Sequence, residues 1–324
     1  MKPLSRRQFL KRTAVASLIG ATALVGVNEK TQAAADPMAT VIDLTKCDGC
    51  TGEKIPRCVA ACKDKNRSRY PQPQKPIMDY WPRKGFEDWS DKQQVINRLT
   101  PYNWIYVQKI TVNGSMVYIP RRCMHCDNPP CAKLCPFSAI SINPDSAVTI
   151  DPEVCFGGAK CRDVCPWGIP ARQAGLGLYM KLAPKFGGGG VMYKCDMCHD
   201  LVETGQQPVC VNACPRQAMT FGSMSAIKNL AKERKQALNG YLYGMEENGG
   251  TATYYVSAVS FAEIDAALIK AGVVDGKPGR SGMPPVAGKM DELGNLSSAM
   301  LIAPVAGIFA AGWTAYRSIK RGEE

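Results

Sequence analysis

Residues Cys123 to Pro136 read CMHCDNPPCAKLCP, with two, four and three residues between successive cysteines and a proline directly after the last. Three close thiols and a fourth just before proline form a ligand pattern, and the chain can be read as four versions of it. Its 324 residues contain 15 cysteines, which fall into the groups Cys47, Cys50, Cys58 and Cys62; Cys123, Cys126, Cys131 and Cys135; Cys155, Cys161 and Cys165; and Cys195, Cys198, Cys210 and Cys214. No cysteine is left over. A disulfide framework favours an even count in a much shorter secreted chain, so metal ligation is the better account.

The central stretch resembles the bacterial iron-sulfur pattern, in which the fourth cysteine ligates a different cluster from the first three. The flanking chain repeats one order of elements: strand, cysteine loop, short helix, strand. Thr40 to Leu44 is a strand leading into the first group, and Ala218 to Phe221 is a strand leaving the fourth. Alternating apolar and polar residues from Trp104 to Thr111, the turn Asn113-Gly114 and the return from Ser115 to Ile119 predict a hairpin. A second hairpin is expected from Ala139 to Ile142 and Ala147 to Ile150, delivering the chain to the third group. Residues 66–101, rich in Pro, Trp and Tyr, read as an irregular insertion covering cluster edges. Residues 223–239 look helical and are closed by Gly240. A strand-like ATYYVSAV and a helix-like FAEIDAALIKAG then suggest a small α/β appendage, followed by a Pro/Gly-rich linker, the whole spanning 223–293.

Both ends carry targeting signals. Residues 1–35 begin with basic residues, continue through an apolar stretch from Ala14 to Val27 and close on Ala33-Ala34-Ala35, where small residues suit a signal peptidase. Ser5-Arg6-Arg7-Gln8-Phe9-Leu10-Lys11 resembles the twin-arginine export signal, so the mature chain is expected to start near Asp36. From Glu292 to Arg317 there are 24 intervening residues without a charge. That is enough for a transmembrane helix over 294–317, with Trp313 and Tyr316 near one end and Arg317, Lys320 and Arg321 beyond it. The basic flank puts the tail 318–324 on the cytoplasmic side, leaving the cysteines outside. A helix buried against the core is the alternative for this stretch.

The formal net charge of +12 raises the question of nucleic acid. Residues 1–35 carry six cations against Glu29, so their removal leaves +7. Among the rest, Arg121, Arg122, Lys133, Lys160, Arg162, Lys194 and Arg216 lie beside cysteine groups, where cations stabilise anionic thiolate clusters. Ordinary solvated surface charge is the alternative for each, and no nucleic-acid partner is expected.

From Thr40 to Gly222 the four groups resemble the four-cluster iron-sulfur subunits that serve molybdopterin oxidoreductases and certain membrane-bound nickel-iron hydrogenases. The second and fourth groups carry the resemblance most strongly, including Pro136 and Pro215. It implies an α+β fold of tandem bacterial-ferredoxin-like modules over 36–222, here with a C-terminal transmembrane helix. It also implies pairing of the first group with the fourth and the second with the third. One [4Fe-4S] cluster would then take Cys47, Cys50, Cys58 and Cys214, and its neighbour Cys195, Cys198, Cys210 and Cys62. A third would take Cys123, Cys126, Cys131 and Cys165. The fourth has only Cys155, Cys161 and Cys135, because Gly158 stands where the family has a cysteine, and the resemblance implies a [3Fe-4S] cluster there. The seven-residue gap between Cys50 and Cys58 is a second departure, since the family usually has two.

Two other chemistries compete. Cys195-Asp196-Met197-Cys198-His199 is formally a haem c attachment motif, with His125 the only other histidine available as a distal ligand. All-cysteine zinc sites use paired cysteines, but four interleaved groups with Cys-Pro endings fit zinc poorly. His125 and His199 are expected to hydrogen-bond near cluster sulfurs. No Gly-rich phosphate loop, helical paired-histidine motif or radical-cluster cysteine triad is present. The expectation is therefore an electron carrier whose partners are a catalytic subunit, either a nickel-iron hydrogenase or a molybdopterin enzyme such as a formate dehydrogenase or sulfur-oxyanion reductase, and an integral membrane quinone-reactive subunit. Its expected location is the periplasmic side of the cytoplasmic membrane.

Overall fold

The computed structural model describes residues 37–79, 86–182 and 189–291. The export signal and the C-terminal apolar stretch lie outside these, and no helix among the described residues is long and apolar enough to cross a membrane.

The framework is a four-stranded sheet in the order β8-β1-β10-β9. Here β1 is Met38–Asp43, β8 Met219–Ser223, β9 Tyr241–Tyr243 and β10 Thr253–Ser257. β1 pairs antiparallel with β8, with Val41 opposite Thr220, and parallel with β10, with Val41 opposite Tyr254. Its side chains are buried from Ala39 to Asp43, as expected for a central strand covered on both faces. One cover is the helix Met224–Ala237, which packs on β1 and β10. It ends with Asn239 in the left-handed conformation, φ 45°. Gly240 is not the left-handed residue that the sequence pattern placed at this helix end. A Cβ there would stand 2.3 Å from the carbonyl oxygen of Ser257, so close approach of two strands requires it.

The segment read as an appendage therefore supplies two strands to the sheet built on β1. Its helix Phe261–Lys270 opens on a capping box between Ser260 and Glu263. The segment also braces the second cysteine loop: Ala252 N–H donates to His125 O at 2.8 Å, and Thr253 Oγ1 donates to Cys123 O at 3.3 Å.

Three two-stranded ribbons join the cysteine groups. They are β2 Tyr106–Val112 with β3 Ser115–Arg121, β4 Ile140–Ile142 with β5 Val148–Ile150, and β6 Ala171–Gln173 with β7 Val191–Tyr193. The first two are the hairpins expected from the sequence, each within two residues at its ends. The insertion 66–101 hydrogen-bonds across the end of β6: Ala174 N–H donates to Glu87 O at 2.9 Å, and Glu87 takes a bidentate pair from Arg162 at 2.7 and 2.8 Å.

Cys58, Cys131, Cys161 and Cys210 each lie in a helical turn. These turns are α1 Arg57–Asn66, α2 Pro130–Lys133, α3 Lys160–Asp163 and a fourth, Val209–Asn212, designated α4. Pro56, Pro129 and Pro208 stand at three of the four helix starts, where the missing N–H costs nothing. α1 packs on α4 and α2 on α3. The first group thus meets the fourth and the second meets the third, forming two modules.

Candidate metal-cluster sites

Each cysteine loop begins with the same bend. The residue two places after the leading cysteine has positive φ in all four: Gly49 at 65°, His125 at 50°, Gly157 at 66° and Met197 at 61°. For His and Met this conformation costs about 1–2 kcal/mol, so tertiary structure imposes it. The bend turns amides back onto sulfur: Gly157 N–H donates to Cys155 Sγ, and Met197 N–H to Cys195 Sγ, both at 3.4 Å.

The Cys-Pro endings repeat too. Ser138, Gly168 and Gln217, each three residues after its cysteine, have φ of 51°, 56° and 50°. Their N–H groups return to the carbonyls of Cys135, Cys165 and Cys214 at 3.2, 3.0 and 3.2 Å. Ala218 N–H then reaches Cys214 Sγ at 3.3 Å. Cys62 departs from this scheme because it stays on α1, where Asn66 Nδ2 donates to its carbonyl at 2.9 Å and lies 3.6 Å from its sulfur.

The loops converge across the modules. Cys47, Cys50, Cys58 and Cys214 line one pocket. Cys123, Cys126, Cys131 and Cys165 line another. Both sets match the quartets implied by the resemblance. The seven-residue departure after Cys50 is absorbed by an exposed turn around Gly52, with Glu53 and Arg57 paired at 2.6 Å in solvent. Among the described residues no three of His, Cys, Asp or Glu converge tightly enough to hold a single metal ion. Four thiols spread around a cavity instead suit a polynuclear group. Cys62 senses the charges of Cys195, Cys210 and Cys198. Cys161 senses those of Cys155, Cys131, Cys135 and Cys165 alike, members of two of the expected sets.

Burial makes these thiols poor anions on their own. It pushes Cys47 up to about 11, Cys165 up to about 11, and Cys131 and Cys195 up to about 12. Thiolate ligation at neutral pH therefore needs positive charge inside the pocket, which is what iron supplies. The protein adds its own: Arg122, 1% exposed, brings Nη1 to 3.9 Å from Cys210 Sγ. Burial opposes its charge, but the sulfurs of Cys210, Cys195 and Cys198 outweigh burial and leave it more firmly protonated than usual.

The odd site was expected at Cys155, Cys161 and Cys135. Cys155 Sγ accepts a second amide, Met192 N–H, at 3.4 Å. Buried Arg172 braces the loop, donating to Gly157 O at 2.7 Å and contacting Gly189 O. Gly158 is exposed. Nothing in the spacing around Arg172 marked it as a support. Phe156, directly after Cys155, and Phe137, two places after Cys135, stack at 4.1 Å between centroids.

The histidines divide. Fully buried His125 accepts Val148 N–H at Nδ1, 3.0 Å, so Nε2 carries the proton and has no partner. Burial, then Lys194 and Arg122, hold its pKa well below the ordinary range. This orphan donor in a cysteine loop fits a cluster sulfur as its missing acceptor. His199 does not: its nitrogens meet Asp145 at 2.8 Å and Glu203 at 3.3 Å. The haem motif accordingly has its histidine committed to carboxylates and its distal candidate committed to Val148.

Two 4Fe-4S dicluster domain models match the chain, at residues 46–139 and 114–224. A protein of Nitratidesulfovibrio vulgaris is 29% identical over 270 residues, covering 80% of this chain, which in turn spans 66% of that relative. The hydrogenase-2 operon protein HybA of Escherichia coli O157:H7 is 26% identical over 306 residues, 81% of this chain and 83% of the relative. YnfG of Escherichia coli, described as a probable anaerobic dimethyl sulfoxide reductase chain, is 30% identical over 195 residues, 58% of this chain and 74% of the relative. With its tandem 4Fe-4S dicluster modules, the chain belongs to the iron-sulfur electron-transfer subunits of respiratory oxidoreductases.

Proposed function

We propose that this chain relays electrons between a periplasmic catalytic subunit, a nickel-iron hydrogenase, and an integral membrane subunit that exchanges them with quinone. The observation that carries the relay is the pair of four-cysteine pockets, each completed by a cysteine from another group. Bound clusters supply one-electron chemistry, with potentials set by cluster type, hydrogen bonds and burial. The residues in hand supply position, amide donors and buried positive charge, while substrate chemistry belongs to the partner.

In this reading Cys47, Cys50, Cys58 and Cys214 hold one [4Fe-4S] cluster, Cys195, Cys198, Cys210 and Cys62 a second, and Cys123, Cys126, Cys131 and Cys165 a third. Cys155, Cys161 and Cys135 hold a [3Fe-4S] cluster, because Gly158 offers no side-chain ligand. The proposed boundaries are a twin-arginine signal over 1–35, the cluster domain over 36–222, the following segment to 293 and a membrane helix over 294–317. Export of an already folded chain suits clusters inserted in the cytoplasm. The apolar stretch then tethers the chain at the outer face of the cytoplasmic membrane.

The length of the HybA match, which extends over 81% of the chain, favours the hydrogenase partner. The YnfG match favours the second reading, the corresponding subunit of a molybdopterin enzyme. Elemental analysis separates them. The complex is solubilised from membranes, captured through a tag on this chain, and assayed for nickel, molybdenum, tungsten and iron. Nickel with abundant iron supports the hydrogenase conduit. Molybdenum or tungsten transfers the chain to the second reading, and absence of iron overturns both.

A further inference from the structure

Lys194 directly precedes the leading cysteine of the fourth group, yet its side chain borders the pocket lined by Cys123, Cys126, Cys131 and Cys165. It is 6% exposed. Its Nζ donates to Cys195 O at 3.0 Å and to Val148 O. Among the described residues it has no carboxylate within ion-pair distance, since neighbouring Asp196 is taken by Arg69 at 2.5 Å. A buried ammonium with carbonyls alone is an expensive arrangement. Something anionic must face it.

Arg122 makes the reciprocal crossing. It directly precedes Cys123 of the second group but reaches Cys210 of the fourth, with Nη1 3.9 Å from the sulfur. Its Nε and Nη2 are buried without a partner, so it too lacks a conventional counter-charge.

We propose that Lys194 and Arg122 are exchanged cations, each lent by one module to the cluster of the other, and that they set the potentials of the two clusters at the module junction in common. The inference rests on the reading that the cysteine quartets hold redox clusters. Lys194 is a positioning residue for the cluster of Cys123, Cys126, Cys131 and Cys165, and through the Cys195 carbonyl it also acts on the cluster of Cys195, Cys198, Cys210 and Cys62. A fixed positive charge favours the reduced, more negative state of a nearby cluster and so raises its potential. Water screens such a charge at a surface; in a buried junction screening is weak and the effect reaches both neighbours. The exchange also links assembly to tuning, because each cluster acquires its cation only when the modules dock.

The test uses the full holoprotein, with Lys194→Met, Lys194→Arg and Arg122→Met, and reads iron per chain together with midpoint potentials from redox titration followed by electron paramagnetic resonance. Serine variants of the cluster cysteines assign each signal. Lys194→Met is expected to lower the midpoint of the Cys123 quartet most, that of the Cys195 quartet less, and the outer two little; Lys194→Arg restores both. Arg122→Met is expected to reverse the order of the two inner shifts. Full iron with unmoved midpoints, or equal shifts in all four clusters, overturns the proposal. If Lys194→Met loses inner-cluster iron while Lys194→Arg keeps it, the charge is required and the proposal stands. Equal iron loss in both variants assigns Lys194 to packing alone and overturns it. A wild-type chain without iron overturns the cluster reading itself.

Discussion

A side-chain carbon on Gly157 would stand 2.4 Å from the carbonyl oxygen of Gly190. The two residues hold the Cys155 loop against the strand that follows the glycine run, and the contact leaves no room for a methyl group. Gly157 also has φ 66°, where an L side chain adds about 1–2 kcal/mol of strain. Gly157→Ala must therefore push the loop away from Met192, whose amide holds Cys155 Sγ. We expect selective loss of the odd cluster's resonance with the three remaining clusters retained. An unchanged spectrum would show that the loop tolerates displacement.

Gly158 offers the complementary experiment. It is exposed on the same loop, so a side chain there meets solvent before it meets packing. If the odd site lacks only a fourth thiolate, Gly158→Cys should convert [3Fe-4S] to [4Fe-4S]. The near-isotropic resonance of the oxidised protein should disappear, and iron per chain should rise. Persistence of that signal with unchanged iron would mean that the open corner faces elsewhere.

The crossed quartets make a positional claim about Cys214. It lines the pocket of Cys47, Cys50 and Cys58, far away in sequence. Cys214→Ser should therefore perturb the first-group cluster while the Cys195 signal persists. Cys165→Ser should likewise strike the Cys123 quartet and spare Cys155. Damage confined to each residue's own group would refute the exchange.

The cysteine groups were legible in the sequence because their determinants are local. Cysteine spacing, Cys-Pro endings and Gly158 all lie within short loops, and the hairpin β2-β3 followed from alternation. What failed was non-local. β1 and β10 pair in parallel although more than 200 residues separate Val41 from Tyr254, and neither strand carries a signal naming its partner. The segment 223–293 thus read as an appendage, whereas its Ala252 and Thr253 hold the Cys123 loop. His199 misled for a different reason. It follows a Cys-X-X-Cys pair, but the carboxylates that engage it come from Asp145 and Glu203, and the first of these is distant in sequence. Left-handed His125 and Met197 were equally hidden, since tertiary packing and not propensity dictates their backbone.

Asp196, inside the fourth cysteine loop, ties cluster geometry to stability. Burial alone would raise its pKa, but Arg69, 2.5 Å away, and the Cys198 amide, 2.9 Å away, outweigh burial and hold the carboxyl below its ordinary value. A depressed folded-state pKa means that the contribution is present above the unfolded carboxylate range and is lost as pH falls through the lower folded value. Arg69 also lies 5.0 Å from the Trp104 ring centre, and its side chain is 45% exposed, so solvent screening trims what the pair is worth. Arg69→Met should cost about 1–2 kcal/mol at neutral pH, most of it from a buried carboxylate left without its cation. Denaturant unfolding should show that loss fully at about pH 7 to 8 and a deficit that shrinks as pH falls, because in the variant burial of Asp196 is no longer opposed by Arg69 and the carboxyl takes up a proton sooner than in wild type. A deficit that does not change with pH would place the titrating group elsewhere. Arg69→Lys keeps the charge and should recover part of the loss, whereas a purely steric role for Arg69 would leave Lys no better than Met.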